Sequence, residues 1–239
     1  MRIASIVAAT AALAAAACGR THAEDRGPTV DRNFQVGAFQ SIEIGGPYEV
    51  EVRTGSAPSV RASGPEKLIE RLVVEVEGDR LRIHPREERQ FNWGGSRGTA
   101  RIQVTVPTLR AAAIAGSGEL MVDKIDGDRF EGSIAGSGDL RLETVSVQAL
   151  KLSIGGSGSV HAGQGQARDA ELSIAGSGDI QSGGVRTENA RISIAGSGSV
   201  NGHASRAADV SIMGSGDVNL TGGAKCNVSK AGAGEVNCS

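Results

Sequence analysis

The tripeptide Gly-Ser-Gly recurs at residues 116, 136, 156, 176, 196 and 214, and Gly-Ala-Gly follows at 232. The spacings are 20, 20, 20, 20, 18 and 18 residues, and a period this fixed over seven copies demands a repeat architecture. The columns around the glycines say which one. Two residues before each Gly-Ser-Gly stand Ile114, Ile134, Ile154, Ile174, Ile194 and Ile212. Four after its first glycine stand Leu120, Leu140, Val160, Ile180, Val200 and Val218. Leu152, Leu172, Ile192, Val210 and Val228 form a third column of the same parity. Apolar residues therefore alternate with Ser, Ala, Glu and Asp, and a period of two is a strand. A helical repeat would need apolar residues three and four apart and fewer glycines.

A unit of two or three short strands cannot bury its apolar side alone, but stacked coils make a continuous interior. The fold expected is all-β, a single-stranded parallel β-helix of about seven coils of 18–20 residues. Right-handed winding is the expectation for parallel crossovers. Each Gly-Ser-Gly then marks a corner, with both glycines inward and the serine outward.

The 35 glycines amount to about twice usual usage, without the strict triplet of collagen and with too many branched aliphatics for disorder. Lys and Arg total 25 against 27 Asp and Glu, so there is no basic excess to attract nucleic acid. Residues 1–23 read as an export signal: Met1-Arg2, then an uncharged run from Ile3 to Ala17 shorter than a membrane span. Ala15-Ala16-Ala17-Cys18 resembles a bacterial lipobox, which makes Cys18 the expected lipidation site. Gly19 in place of Asp would then not retain the protein at the inner membrane. Cleavage after Ala23 is the alternative, giving a periplasmic or secreted protein. Membrane contact is expected only through the lipid. Residues 24–38 are polar and aperiodic, and are expected to be a flexible tether. In an exported protein the remaining cysteines, Cys226 and Cys238, are expected to pair.

Between tether and repeats, SIEIGG, YEVEVRTG, SVRAS, LVVEVEGDRLRIHP and ARIQVTVP alternate and are bounded by turn residues, so they are strands. Glu77-Gly78-Asp79 reads as a hairpin turn and Pro65 as the start of a short helical turn. These strands are expected to lead into the helix and cover its end.

FQSIEIGGPYEVEV, LVVEVEGDRLRI, RIQVTVP and the repeated I-x-Gly-Ser-Gly-[Asp/Ser]-[Leu/Val] together resemble the head GIN domain family of putative auto-transporter adhesins, over residues 39–239. The resemblance implies an exported β-helix protein, often a lipoprotein, with a surface-binding role and no catalytic motif to carry across.

The ladder of carboxylates also permits a catalytic reading. Glu119 with Asp139, and Asp217 with Glu235, fall on neighbouring coils at about the 5 Å that suits a retaining glycosidase. Turn preference and the Ser residues interrupting like charges explain the same ladder more simply. The repeated serines lack the singular surroundings of a nucleophile. His22, His84, His161 and His203 are scattered, and calcium-repeat glycines are absent. No cofactor and no metal are expected.

The irregular stretch from Arg86 to Arg101 carries the single Trp. Phe91, Asn92, Trp93 and Arg97 are the expected ligand-binding residues, the ring stacking on a sugar and the polar groups holding hydroxyls. The outward Ser and Asp face is the second candidate, suited to weak multivalent contact. The partner expected is a surface polysaccharide or an envelope protein. The function expected is non-catalytic binding or scaffolding at the cell envelope. A carbohydrate-active enzyme and a purely structural protein are the alternatives.

Overall fold

The computed structural model describes residues 28–86 and 99–239. From the N-terminal side come β1 (Thr29–Phe34), β2 (Ser41–Gly45), β3 (Glu49–Thr54), β4 (Ser59–Pro65), helix α1 (Glu66–Arg71), β5 (Leu72–Glu77), β6 (Arg80–Pro85), β7 (Arg101–Val106) and β8 (Ala111–Gly116). The coils follow as β9 (Glu119–Gly136), β10 (Asp139–Gly156), β11 (Ser159–Gly176), β12 (Asp179–Gln181), β13 (Val185–Gly196), β14 (Ser199–His203), β15 (Ala207–Gly214), β16 (Asp217–Thr221), β17 (Lys225–Gly232) and β18 (Val236–Cys238). They wind into a parallel β-solenoid of about six turns, because seven corners bound six intervals.

The register shows why the coil is triangular. Asp139–Leu142, Thr144–Val147 and Ala149–Gly156 of β10 pair with β11 one coil on, while Glu143 and Gln148 fall at gaps in the ladder. Those two gaps and the Gly-Ser-Gly are the three corners, separating a first, a middle and a third face. In the third face Ile44, Ile114, Ile134, Ile154, Ile174, Ile194 and Ile212 stack in the interior, each 2 % exposed or less. Burying one isoleucine contributes about 2 kcal/mol, so the column is a large share of the fold's stability.

From the second Gly-Ser-Gly on, the serine N–H donates to the first glycine carbonyl of the coil below, as Ser137 does to Gly116 at 2.9 Å. Two residues on, the Asp139 N–H donates to the carbonyl of the second glycine below, Gly118, at 3.0 Å. Only the second glycine is buried. The first glycine is half-exposed at most repeats and has φ between +117° and +136° throughout, which L side chains rarely adopt. The expectation of two inward glycines is thus half right: one turns the chain, the other makes room.

The interior narrows along the stack. One inward column reads Phe130, Leu150, Ala170, Ala190, Ala208. Smaller side chains need a smaller perimeter, and the change from 20 to 18 residues removes two from the middle face, between β14 and β15. The buried polar groups there are satisfied. Ser182 Oγ donates to the Asn201 carbonyl at 3.2 Å, and Thr187 Oγ1 to the His203 carbonyl.

The first half joins the stack out of chain order. β2 and β3 form a layer sandwiched between β6 and β7 on one side and β8 and β9 on the other, with Ile44 beside both Ile83 and Ile114. Beyond it the pairing turns antiparallel, β5 on β6 and β4 on β7. Gly78, at φ +64°, makes the β5–β6 hairpin turn, and α1 follows Pro65.

The tether read at residues 24–38 is corrected in part, since 29–34 is the strand β1, antiparallel to β4. It is held by backbone pairing at a sheet edge and by the Arg61–Asp31 ion pair at 2.8 Å, so it needs no apolar alternation. The signal at residues 1–23, with Cys18, lies outside the described residues.

Candidate functional site

On the first face the residue after each corner points outward, and the register stacks Glu119, Asp139, Ser159, Asp179, Ser199 and Asp217. Their side chains bond along the stack. Ser159 Oγ donates to Asp139 Oδ1, and Ser199 Oγ to Asp179 Oδ1. Arg141 Nε lies 3.4 Å from Glu119, and the Glu235 N–H donates to Asp217 Oδ1 at 2.8 Å. Asn219 continues the ladder to Asn201 at 2.9 Å. Serine alternating with aspartate places a donor between like charges, which stabilises the column. Glu119 and Asp139 do stand on neighbouring coils, but each is engaged by a structural partner on a sheet face. Among the described residues no group of His, Cys, Asp and Glu is placed to hold a metal ion.

A groove of about 660 Å³ lies on the middle face. Its lining comes from five coils, beside the corner column Asp128, Gln148, Arg168, Glu188. Gln166, Arg186 and His203 are also part of its polar lining. Some of these groups are already committed. Arg168 Nε pairs with Asp169 at 2.9 Å, and Arg206 with Glu188 at 3.1 Å. The Asn189 amide and then Arg168 hold the Asp169 carboxyl below the usual carboxylate range. Arg186, Gln148 and Gln166 have no side-chain partner among the described residues and offer their donors to the groove.

The Thr187 N–H donates to His203 Nδ1 at 3.3 Å, which assigns the imidazole proton to Nε2. A smaller groove of about 490 Å³ lies against β1, with Phe34 and Val60 opposite Arg53 and Arg61.

Phe91, Asn92, Trp93 and Arg97 lie outside the described residues. Their flanks are placed, however. Ile83 of β6 is in register with Ile44, and Arg101 of β7 with Glu49. The middle-face groove was not anticipated. The signal for it was the second corner column, where long polar side chains recur at the coil period while the Gly-Ser-Gly corner carries only serine.

Cys226 and Cys238 are bonded, with Cα atoms 6.7 Å apart, across the interior of the last coil.

Several solved structures share the fold. A putative adhesin from Bacteroides fragilis NCTC 9343 has TM-score 0.80 and 22 % identity, covering 89 % of this chain and 97 % of its own. A putative lipid binding protein from Parabacteroides distasonis ATCC 8503 has TM-score 0.71 and 24 % identity, with the same coverage of 89 % and 97 %. A putative adhesin from Parabacteroides merdae ATCC 43184 has TM-score 0.71 and 18 % identity, again covering 89 % and 97 %. No curated protein matches the chain. Residues 38–224 match the sequence model described as "Putative auto-transporter adhesin, head GIN domain", and the chain belongs to that family.

Proposed function

We propose that this protein is exported, anchored through a lipid on Cys18, and holds a polar polymer at the cell envelope without catalysis. The observation that carries the reading is the middle-face groove. Its amide and guanidinium donors recur coil by coil, at about 4.8 Å, on a rigid support. A polymer laid across several coils meets repeated shallow contacts, and linked weak contacts gain by effective concentration. Membership of a family described as adhesins supports the same role. Among the described residues no helix is long and apolar enough to cross a membrane. The proposed anchor is the acyl chain alone, and metabolic labelling with palmitate, lost in Cys18→Ser, tests it.

Glycan-array binding by the purified protein tests the ligand class, with Arg186→Ala and Trp93→Ala in parallel. Specific binding lost in Arg186→Ala places the polymer in the groove. Loss in Trp93→Ala alone moves it to the segment carrying Phe91, Asn92, Trp93 and Arg97. No binding at high protein density overturns the polysaccharide reading for the glycans sampled, and an envelope protein becomes the partner to seek.

A further inference from the structure

Strand β17 pairs with β15 on one side and has no ladder partner on the other among the described residues. Its eight residues, Lys225–Gly232, present an open edge of backbone N–H and C=O groups, the surface on which a strand of another chain adds. The coil behind that edge departs from the repeat at an inward position of the third face. The row that reads Leu172 and Ile174, then Ile192 and Ile194, then Val210 and Ile212, ends in Val228 and Lys230. A column of buried isoleucines thus stops at a lysine. Lys230 Nζ donates to the Gly234 carbonyl at 2.6 Å, which ties the ammonium to the last corner. It has no ion-pair partner among the described residues. Val228 beside it is 45 % exposed, so an apolar surface is present that an isoleucine would enlarge.

We infer that the coil 225–238 is a terminator that keeps a second copy of this chain from pairing with β17, and that Lys230 is the residue that refuses it. Two copies meeting at this edge would bring two ammonium groups into one seam, each losing water without gaining a carboxylate. At the other end of the solenoid the outer strands β1 and β5 run antiparallel to β4 and β6, and α1 packs against β4 and β1. Pairing of β17 with the same edge of a second copy is two-fold and closes at the dimer.

Sedimentation equilibrium over a wide concentration range, with amide exchange on β17, tests the inference. The wild type is expected to remain a monomer with fast exchange along β17. Lys230→Ile is expected to tighten the dimer dissociation constant at least tenfold and to slow that exchange. Adding Val228→Lys to it restores the monomer. Lys230→Gln, which removes the charge at similar length, gives a second folded variant should Lys230→Ile lose its β-sheet spectrum. Neutralised variants that remain monomeric, or a wild type that already dimerises with β17 protected, would overturn it.

Discussion

The two ends of this solenoid are closed by different means. At the N-terminal end the layer β2–β3 is overlaid by β6–β7, and the ladder then turns antiparallel through β4 and β5. At the C-terminal end the parallel register runs to the last strand, and one coil carries both closing devices, Lys230 and the Cys226–Cys238 bond. The first solution fills the end with well-packed strands: Ile42, Ile44, Leu81, Ile83, Ile102 and Val104 are all 1 % exposed or less. The second leaves the edge exposed and makes it unattractive. A stack of coils can therefore end by topology, which needs many residues, or by side-chain chemistry, which needs few.

The largest effect that separates the two regions should come from the buried corner glycine. A Cβ on Gly138 would stand 2.6 Å from the Gly118 carbonyl oxygen and 2.7 Å from Ile114 Cγ2, with coils fixed on both sides. Gly138→Ala should cost about 4 kcal/mol, read from urea denaturation. Gly234→Ala sets its Cβ closer still to the Gly216 carbonyl oxygen, but the last coil can lift away from its one neighbour. It should cost about 1 kcal/mol. Equal costs would mean that the C-terminal coil is as constrained as an interior one.

Truncation of the core gives the next contrast. Ile44→Ala empties a site enclosed on both sides and should cost about 3 kcal/mol. Val228→Ala, at an exposed site, should cost less than about 1 kcal/mol. If Ile44→Ala proved as mild, the sandwiched layer would not be part of the cooperative core. Replacing Cys226 and Cys238 by serine opens a loop whose ends are 12 residues apart and should cost about 2 kcal/mol. Because coils contact only their neighbours, amide exchange should rise over residues 225–238 and stay unchanged over β10 and β11. Faster exchange in β10 would show that the disulfide supports the whole stack.

The same contrast explains what the sequence could disclose. Coils repeat, so each column was visible at least five times, and the alternation, the corners and the parallel stacking were all legible. The layer β2–β3 is also a coil, SIEIGGPYEVEV lying in register with AAAIAGSGELMV. Pro47-Tyr48 stands where later coils have Ser-Gly, so the repeat pattern does not extend to it by sequence alone. Its place between β6–β7 and β8–β9 follows from long-range pairing that no local pattern encodes. Strand β1 escaped for a related reason, having Val30 and Phe34 as its only half-buried apolar residues. The groove was hidden because concavity comes from the meeting of two faces, whereas the sequence shows only which residues point outward.

Tyr48 gives the finest test of the closed end. It occupies the position of the buried corner glycine, one layer before Gly118, and is 5 % exposed. A ring fits there because the next layer outward presents Ala100, whose carbonyl accepts from the Glu49 N–H at 3.1 Å. Burial disfavours the phenolate and pushes the phenol up to about 12. This is the chain's single tyrosine, so the ultraviolet titration has one source. Phenolate absorbance should rise near pH 12 in the folded protein and near about 10 after unfolding in urea. The folded state thus favours the protonated form. The stability this contributes is complete below about pH 10 and is lost as pH rises towards about 12. A folded-state midpoint near 10 would mean that the N-terminal layers open to water. The midpoint should also stay unmoved when Cys226 and Cys238 are replaced, since about six turns separate that bond from Tyr48 and perturbations pass only between neighbouring coils.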